Sequence, residues 1–197
     1  MNLPNAITIS RLFLTAGFIL FVAWESTWGH FVALTLFIIA AASDYIDGWL
    51  ARKMNLVTPL GKLLDPLADK ILVCSAFVFL TAKGLCPVWI TALILAREFL
   101  VTGLRQIAIE AGHVLAADRL GKWKTTFQLT YLISGLIWLT LETMSSVKFP
   151  LTFFHSLTKP WGDGAWLLPI TLTLAVVLTV VSGWNYLWSS RYLLRGK

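Results

Sequence analysis

Four aspartates stand in matched pairs, Asp44 with Asp47 three residues on, and Asp65 with Asp69 four residues on. On helices both spacings put each pair on one face. If the two helices pack antiparallel through the short link between them, the four carboxylates converge. Carboxylates gathered that closely repel one another and drift toward protonation unless cations compensate them. Hard oxygen donors of this kind suit magnesium, manganese or calcium rather than zinc. A plainer alternative pairs them with Lys53, Lys62 or Lys70 merely to end two helices. Four of the ten acidic residues in one stretch of an acid-poor chain weigh against it.

Apolar runs flank this stretch and decide what must position it. The chain of 197 residues is 57% hydrophobic and 13% charged, with a mean hydropathy of +0.75. Its apolar residues come in long runs rather than at amphipathic spacing, the pattern of membrane spans. The expectation is an all-α polytopic membrane protein, a single domain over residues 1–197, with six transmembrane helices. The spans are expected at about Ile7–Trp24, Phe31–Leu50, Gly61–Thr81, Pro87–Gly112, Thr126–Thr143 and Trp166–Trp188. Arg52–Leu60 and the segment AGHVLAADRLGKWKT read as connections, and Met144–Gly164 as an aromatic loop along the interface.

Lys and Arg are distributed unevenly about these spans. Connections on one side hold only Lys83, Lys148 and Lys159; the other thirteen of sixteen lie opposite or within spans. By the positive-inside rule both termini and the acidic stretch face the cytoplasm of a cell (inner) membrane. The net charge of +6 is scattered rather than striped, which argues against nucleic acid. Trp24, Trp28, Trp49, Trp89, Trp123, Trp166 and Trp188 fall near span ends, as headgroup anchors do. Cys74 and Cys86 show neither metal nor redox spacing and are expected to be unpaired. His30, His113 and His155 lack partner spacing and read as loop residues. The N-terminus shows no removable leader.

Asp44-x-x-Asp47-Gly48-x-x-Ala51-Arg52, eight further residues, then Gly61-x-x-x-Asp65-x-x-x-Asp69, resembles the signature of the CDP-alcohol phosphotransferase family at all eight specified positions. Asn2-Leu3-Pro4-Asn5 with Ser10-Arg11, the run Ala96-Arg97-Glu98-Phe99-x-Val101-Thr102-Gly103-Leu104-Arg105, and Leu120-Gly121-Lys122-x-Lys124-Thr125 are similar to the branch whose acceptor is glycerol-3-phosphate. The last two spans carry no motif. The resemblance implies transfer of a phosphatidyl group from CDP-diacylglycerol to an alcohol, with CMP released. It implies Asp44, Asp47, Asp65 and Asp69 as ligands of Mg2+ or Mn2+, commonly two ions, and Asp69 as the candidate base. Gly48, Arg52, Thr58 and Gly61 are the implied CDP contacts, with Asn5 and Arg11 near the donor headgroup. Homodimers are common in such families.

A phosphorylated acceptor needs its own cations. Arg97 and Arg105, eight residues apart, lie on nearly one face of a helix. Arginines on a spanning helix line a cavity or pair with acids. Glu98 is expected to point elsewhere, and Glu110 is more than a turn from Arg105. Arg105 with Lys122 and Lys124, and Arg97 beside them, is therefore the expected phosphate clamp, with Arg119 and Arg191 as weaker members. Other acceptors in the same chemistry would be inositol phosphate, serine or phosphatidylglycerol. A divalent-cation transporter is the alternative from another class, but its acidic sites belong near mid-membrane in broken spans.

Overall fold

The computed structural model describes the backbone of residues 3–54, 59–110, 112, 119–144 and 150–191, and the side chains of 9–43, 68, 70–109, 112, 120–144 and 150–191. Every regular element among them is a helix: α1 (Leu3–Ala23), α2 (Thr27–Met54), α3 (Pro59–Ala82), α4 (Val88–Glu110), α5 (Arg119–Glu142), α6 (Leu151–Leu157) and α7 (Leu167–Ser189). Six long helices appear where six were expected, and α6 is additional. Of the described residues, α7 alone forms a helix long and apolar enough to cross a membrane; shorter apolar stretches run Ile9–Ala23, Thr27–Ser43 and Lys70–Ala82. In α4, Arg97, Glu98 and Arg105 interrupt the apolar run.

The helix ends follow local chemistry. Pro59 occupies the first position of α3, where its missing N–H costs nothing. That helix closes on a Schellman turn: Gly84, at φ 75°, donates its N–H to the Thr81 carbonyl, and Leu85 donates to Leu80. Only glycine takes that left-handed conformation cheaply. At the start of α4 the Pro87 carbonyl accepts from Ile90 and Thr91. Gly29, in the first turn of α2, has no room for a side chain, since a Cβ there would come within 2.2 Å of the Trp24 carbonyl oxygen.

Two boundaries differ from the expectation for one reason. α2 continues through Ala51-Arg52-Lys53-Met54, and α5 begins at Arg119 rather than near Thr126. The first holds Ala, Arg, Lys and Met and the second Arg, Leu and Lys, helix formers that do not make apolar runs, so hydropathy alone stops short of them. The segment read as a loop contains α6, which follows Pro150 and includes no buried residue. His155 lies in α6 with its Nε2 2.9 Å from Glu142 Oε2. His30 lies inside α2, 5% exposed, its ring 6.1 Å from that of Phe79. Neither is a loop residue, and His113 falls outside the described residues.

One apolar core joins the helices, with Phe18 of α1, Phe37 of α2, Phe77 and Leu80 of α3, Ile94 of α4 and Tyr131 of α5 all buried. α1 packs along α2 and α3, and α5 packs along α7 and α2. The outside is apolar as well: Phe13, Trp28, Val88, Trp89 and Trp184 are all more than 60% exposed. Trp24, Trp123, Trp166 and Trp188 are also exposed near helix ends. Neither Cys74 nor Cys86 is joined in a disulfide, as expected. At the α1–α2 link, a hydrogen bond from Lys83 holds the Glu25 carboxyl below the ordinary carboxylate range.

Tyr131 ties the core to the α3–α4 link, its hydroxyl donating to the buried Leu85 carbonyl at 2.9 Å. Tyr131→Phe strands that carbonyl, and a loss of about 1–2 kcal/mol is expected. Thermal unfolding of the detergent-solubilised protein measures it, and an unchanged midpoint would show that the bond adds nothing.

Candidate active site

Along the chain, the acidic pairs stand at similar distances from the ends of α2 and α3 that are nearest in sequence. Counting from the ends that face the four-residue link, Asp47 is seven residues before Met54 and Asp65 six after Pro59; Asp44 and Asp69 are each ten away. At 1.5 Å per residue, that is about 10 Å for the nearer pair and about 15 Å for the farther. The register carries a second match. Buried Ala33, Phe37 and Ala40 form a stripe on α2 whose helical spacing continues through positions 44 and 47. On α3 the stripe of Ala76 and Leu72 continues back through positions 69 and 65. Both acidic pairs thus share the helical register of those stripes. The side chains of Asp44, Asp47, Asp65 and Asp69 lie outside the described residues. The donor set at these positions is all-oxygen and anionic, which fits a hard divalent cation.

Glu98 of α4 is the centre of a buried ion cluster. Its Oε2 accepts from Lys70 Nζ of α3 at 2.8 Å, and its Oε1 from Lys124 Nζ of α5. Arg97 Nη1 lies 3.6 Å from the same Oε1. The expectation that Glu98 points elsewhere is wrong. Neighbouring Cβ atoms diverge on a helix, but the long Arg97 side chain reaches back, and two lysines meet Glu98 from adjacent helices. Glu98 and Lys124 are 3% exposed. Lys70 follows Asp69 directly, so this contact fixes the rotation of α3 where the acidic pair sits.

Arg97 and Arg105 share a face, as their spacing predicts, and one ring gathers them. Their guanidinium carbons lie 5.7 and 5.6 Å from the centroid of Tyr186 on α7. Arg105 Nη2 donates to the Tyr186 hydroxyl at 2.7 Å, and Arg97 Nη2 to Ser182 Oγ at 2.8 Å. The structure separates Lys122 from Lys124. Because α5 starts at Arg119, the two lysines stand two residues apart on a helix and do not face each other. Lys124 is buried against Glu98, while Lys122 is exposed. Arg191 stacks 4.5 Å over Trp188, and Arg11 is 5% exposed in α1.

The remaining candidates are placed by backbone alone. Asn5 lies in α1, Gly48 and Arg52 in α2, Gly61 in α3, and Arg119 opens α5. Their side-chain surroundings, and Thr58 altogether, lie outside the described residues. Glu98, Lys70, Ser182 and Tyr186 were not singled out as site residues by their types and spacing. Glu98 did carry a signal: an acid inside an apolar span calls for a cation partner. Ser182 and Tyr186 carried none.

A helical bundle with an acidic register on two helices and an arginine pair on a third defines a class, and comparison agrees. Residues 1–181 match the CDP-alcohol phosphatidyltransferase family, and the chain belongs to that family. It is similar to the CDP-diacylglycerol–glycerol-3-phosphate 3-phosphatidyltransferase of Bacillus subtilis, 40% identical over 94% of this chain and 93% of the relative. Proteins of the same description from Cereibacter sphaeroides (31% identical, covering 94% and 93%) and Rickettsia typhi (34%, covering 94% of each) resemble it too.

Removing one partner from a buried ion pair costs about 3–5 kcal/mol. Glu98→Gln should therefore lower the unfolding midpoint in detergent sharply, and Lys124→Met added to it should restore part of the loss. Equal midpoints for the wild type and Glu98→Gln would show that the cluster does not hold these helices together.

Proposed function

We propose that this chain transfers the phosphatidyl group of CDP-diacylglycerol to glycerol-3-phosphate, giving phosphatidylglycerophosphate and CMP. The observation that carries the proposal is the complete eight-position signature, whose two acidic pairs fall on the successive helices α2 and α3. The names of the relatives support the acceptor.

Asp44, Asp47, Asp65 and Asp69 would hold Mg2+ or Mn2+, in two sites. Such an ion, when bound, supplies Lewis-acid polarisation of the diphosphate and neutralises charge on the departing CMP. Asp69 takes the proton from the acceptor hydroxyl as its oxygen forms a bond to the lipid-bearing phosphorus and the bond from that phosphorus to CMP breaks. A carboxylate is a weak base in water, so its value here lies in position at the reacting hydroxyl. Gly48 and Gly61 let the nucleotide approach backbone closely, while Arg52 and Thr58 contact the donor. Arg105 and Arg97 hold the acceptor phosphate, with the exposed Lys122 and with Arg119 at the start of α5. Lys124 contributes through Glu98.

In this reading α1 to α5 and α7 cross the cell (inner) membrane, both termini are cytoplasmic, and α6 lies along the opposite interface. The exposed apolar surface and the tryptophans near helix ends support it.

With Mg2+ or Mn2+ present, the purified protein is expected to release CMP from CDP-diacylglycerol when glycerol-3-phosphate is supplied, and chelation should abolish release. Asp69→Asn should lower the rate by about a hundredfold or more. Release with serine, inositol phosphate or phosphatidylglycerol, but none with glycerol-3-phosphate, would overturn the acceptor assignment.

A further inference from the structure

The final helix has no part in the signature, yet it carries the ring that the two arginines share. Ser182 and Tyr186 stand one turn apart on α7 and are 0% and 6% exposed. Between them is Gly183, where an added Cβ would come within 3.1 Å of Arg97 Cγ. A small residue there lets the Arg97 stem lie against the α7 backbone, with its guanidinium bonded to Ser182. One turn on, Tyr186 receives the Arg105 hydrogen bond and lies within cation–π reach of both guanidinium groups. Ser182 and Tyr186 use separate polar atoms, so each arginine has its own anchor.

Two like charges held at one ring repel each other, and an anion that meets both relieves the repulsion. Glu98 serves Arg97 on its inner side, at 3.6 Å, but it also serves Lys70 and Lys124. Two guanidinium groups brought to one ring suit a phosphate, which offers oxygens to both, and an uncharged hydroxyl does not. Ser182, Gly183 and Tyr186 lie outside the eight-position signature.

We propose that Tyr186, with Ser182 and Gly183, is a positioning platform that sets Arg97 and Arg105 at the spacing of one phosphate and so selects a phosphorylated acceptor. The inference rests on the reading of those two arginines as the acceptor's phosphate site. Tyr186 acts through the arginines and not on the reacting atoms, so its loss is felt in acceptor binding rather than in the chemical step.

The test is CMP release by the full chain in detergent with CDP-diacylglycerol, with glycerol-3-phosphate or glycerol as acceptor. Tyr186→Phe should raise KM for glycerol-3-phosphate about tenfold, the scale of a hydrogen bond to a charged group. KM for CDP-diacylglycerol and kcat should move by less than about twofold, and the preference for glycerol-3-phosphate over glycerol should fall with the acceptor term. In an Arg105→Gln background the same change should add less than about twofold, because the two groups act as one unit. If Arg105→Gln raises the acceptor KM but Tyr186→Phe does not, the platform is wrong and the acceptor site stands. If neither Arg105→Gln nor Arg97→Gln changes it, the acceptor site itself is wrong and the platform falls with it. Equal losses for both substrates would mark a general packing role and overturn the inference. Should Tyr186→Phe aggregate in gel filtration, Ser182→Ala tests the same platform through Arg97. A rise of about threefold in acceptor KM is then expected, and no rise overturns the proposal.

Discussion

A carboxylate among apolar helices survives as an anion only where cations reach it, and Glu98 brings three helices together on that condition. Lys70 arrives from α3 and Lys124 from α5, and the carboxylate comes from α4. Hydrophobic packing would accept many rotations of these helices, since apolar side chains cover both their inner and outer faces. A buried ion cluster accepts very few, because a misplaced charge is left without its partner. The consequence reaches the acidic register through one covalent neighbour. Fixing Lys70 fixes the rotation of α3, and with it the positions of Asp65 and Asp69.

The same condition organises α4. Arg97 and Glu98 are consecutive, so they leave the helix about 100° apart. Glu98 serves the side toward α3 and α5, and Arg97 the side toward α7. Arg105, two turns on, repeats the Arg97 direction and finds the same tyrosine. This helix therefore lies between an ion cluster and an arginine pair, joined where Arg97 touches both. Neither half stands without the other: move Glu98 and Arg97 loses its nearest described anion, move Tyr186 and the arginines lose their shared ring.

Much of this was legible in the residues. The spacing of the four aspartates called for two helices, and α2 and α3 are those helices. The eight-residue interval placed Arg97 and Arg105 on one face, where they are found. What escaped has physical reasons. Hydropathy marks where a helix is apolar, not where it begins, so α5 seemed to start after Lys122 and Lys124. With its true start at Arg119, the two lysines diverge instead of converging. α6 was hidden because seven residues after a proline are too few for periodicity to register. Glu98 was set aside on the argument that neighbours on a helix diverge, which is true of Cβ atoms and false of long side-chain tips. Ser182 and Tyr186 belong to an apolar helix with no pattern of its own, and only its contacts give them meaning.

Joining two phosphate-bearing substrates poses an electrostatic problem that this division of charge would answer. On the proposed reading the acceptor hydroxyl comes within bonding distance of the donor phosphorus, which draws the donor diphosphate and the acceptor's own phosphate close together although both are anions. Cations placed together between them would leave the attacking hydroxyl no better oriented toward one phosphorus than toward another. A chain that keeps its carboxylates on α2 and α3 and its arginines on α4, against α7, instead gives each anion its own kind of partner. On that reading, the carboxylates would hold metal that neutralises charge on the departing CMP, whereas guanidinium groups held by a ring and a hydroxyl would keep the acceptor phosphate still. Lys70 and Glu98 link the two halves directly, so the distance between the sites is set by an ion pair and not by the softer packing of apolar side chains.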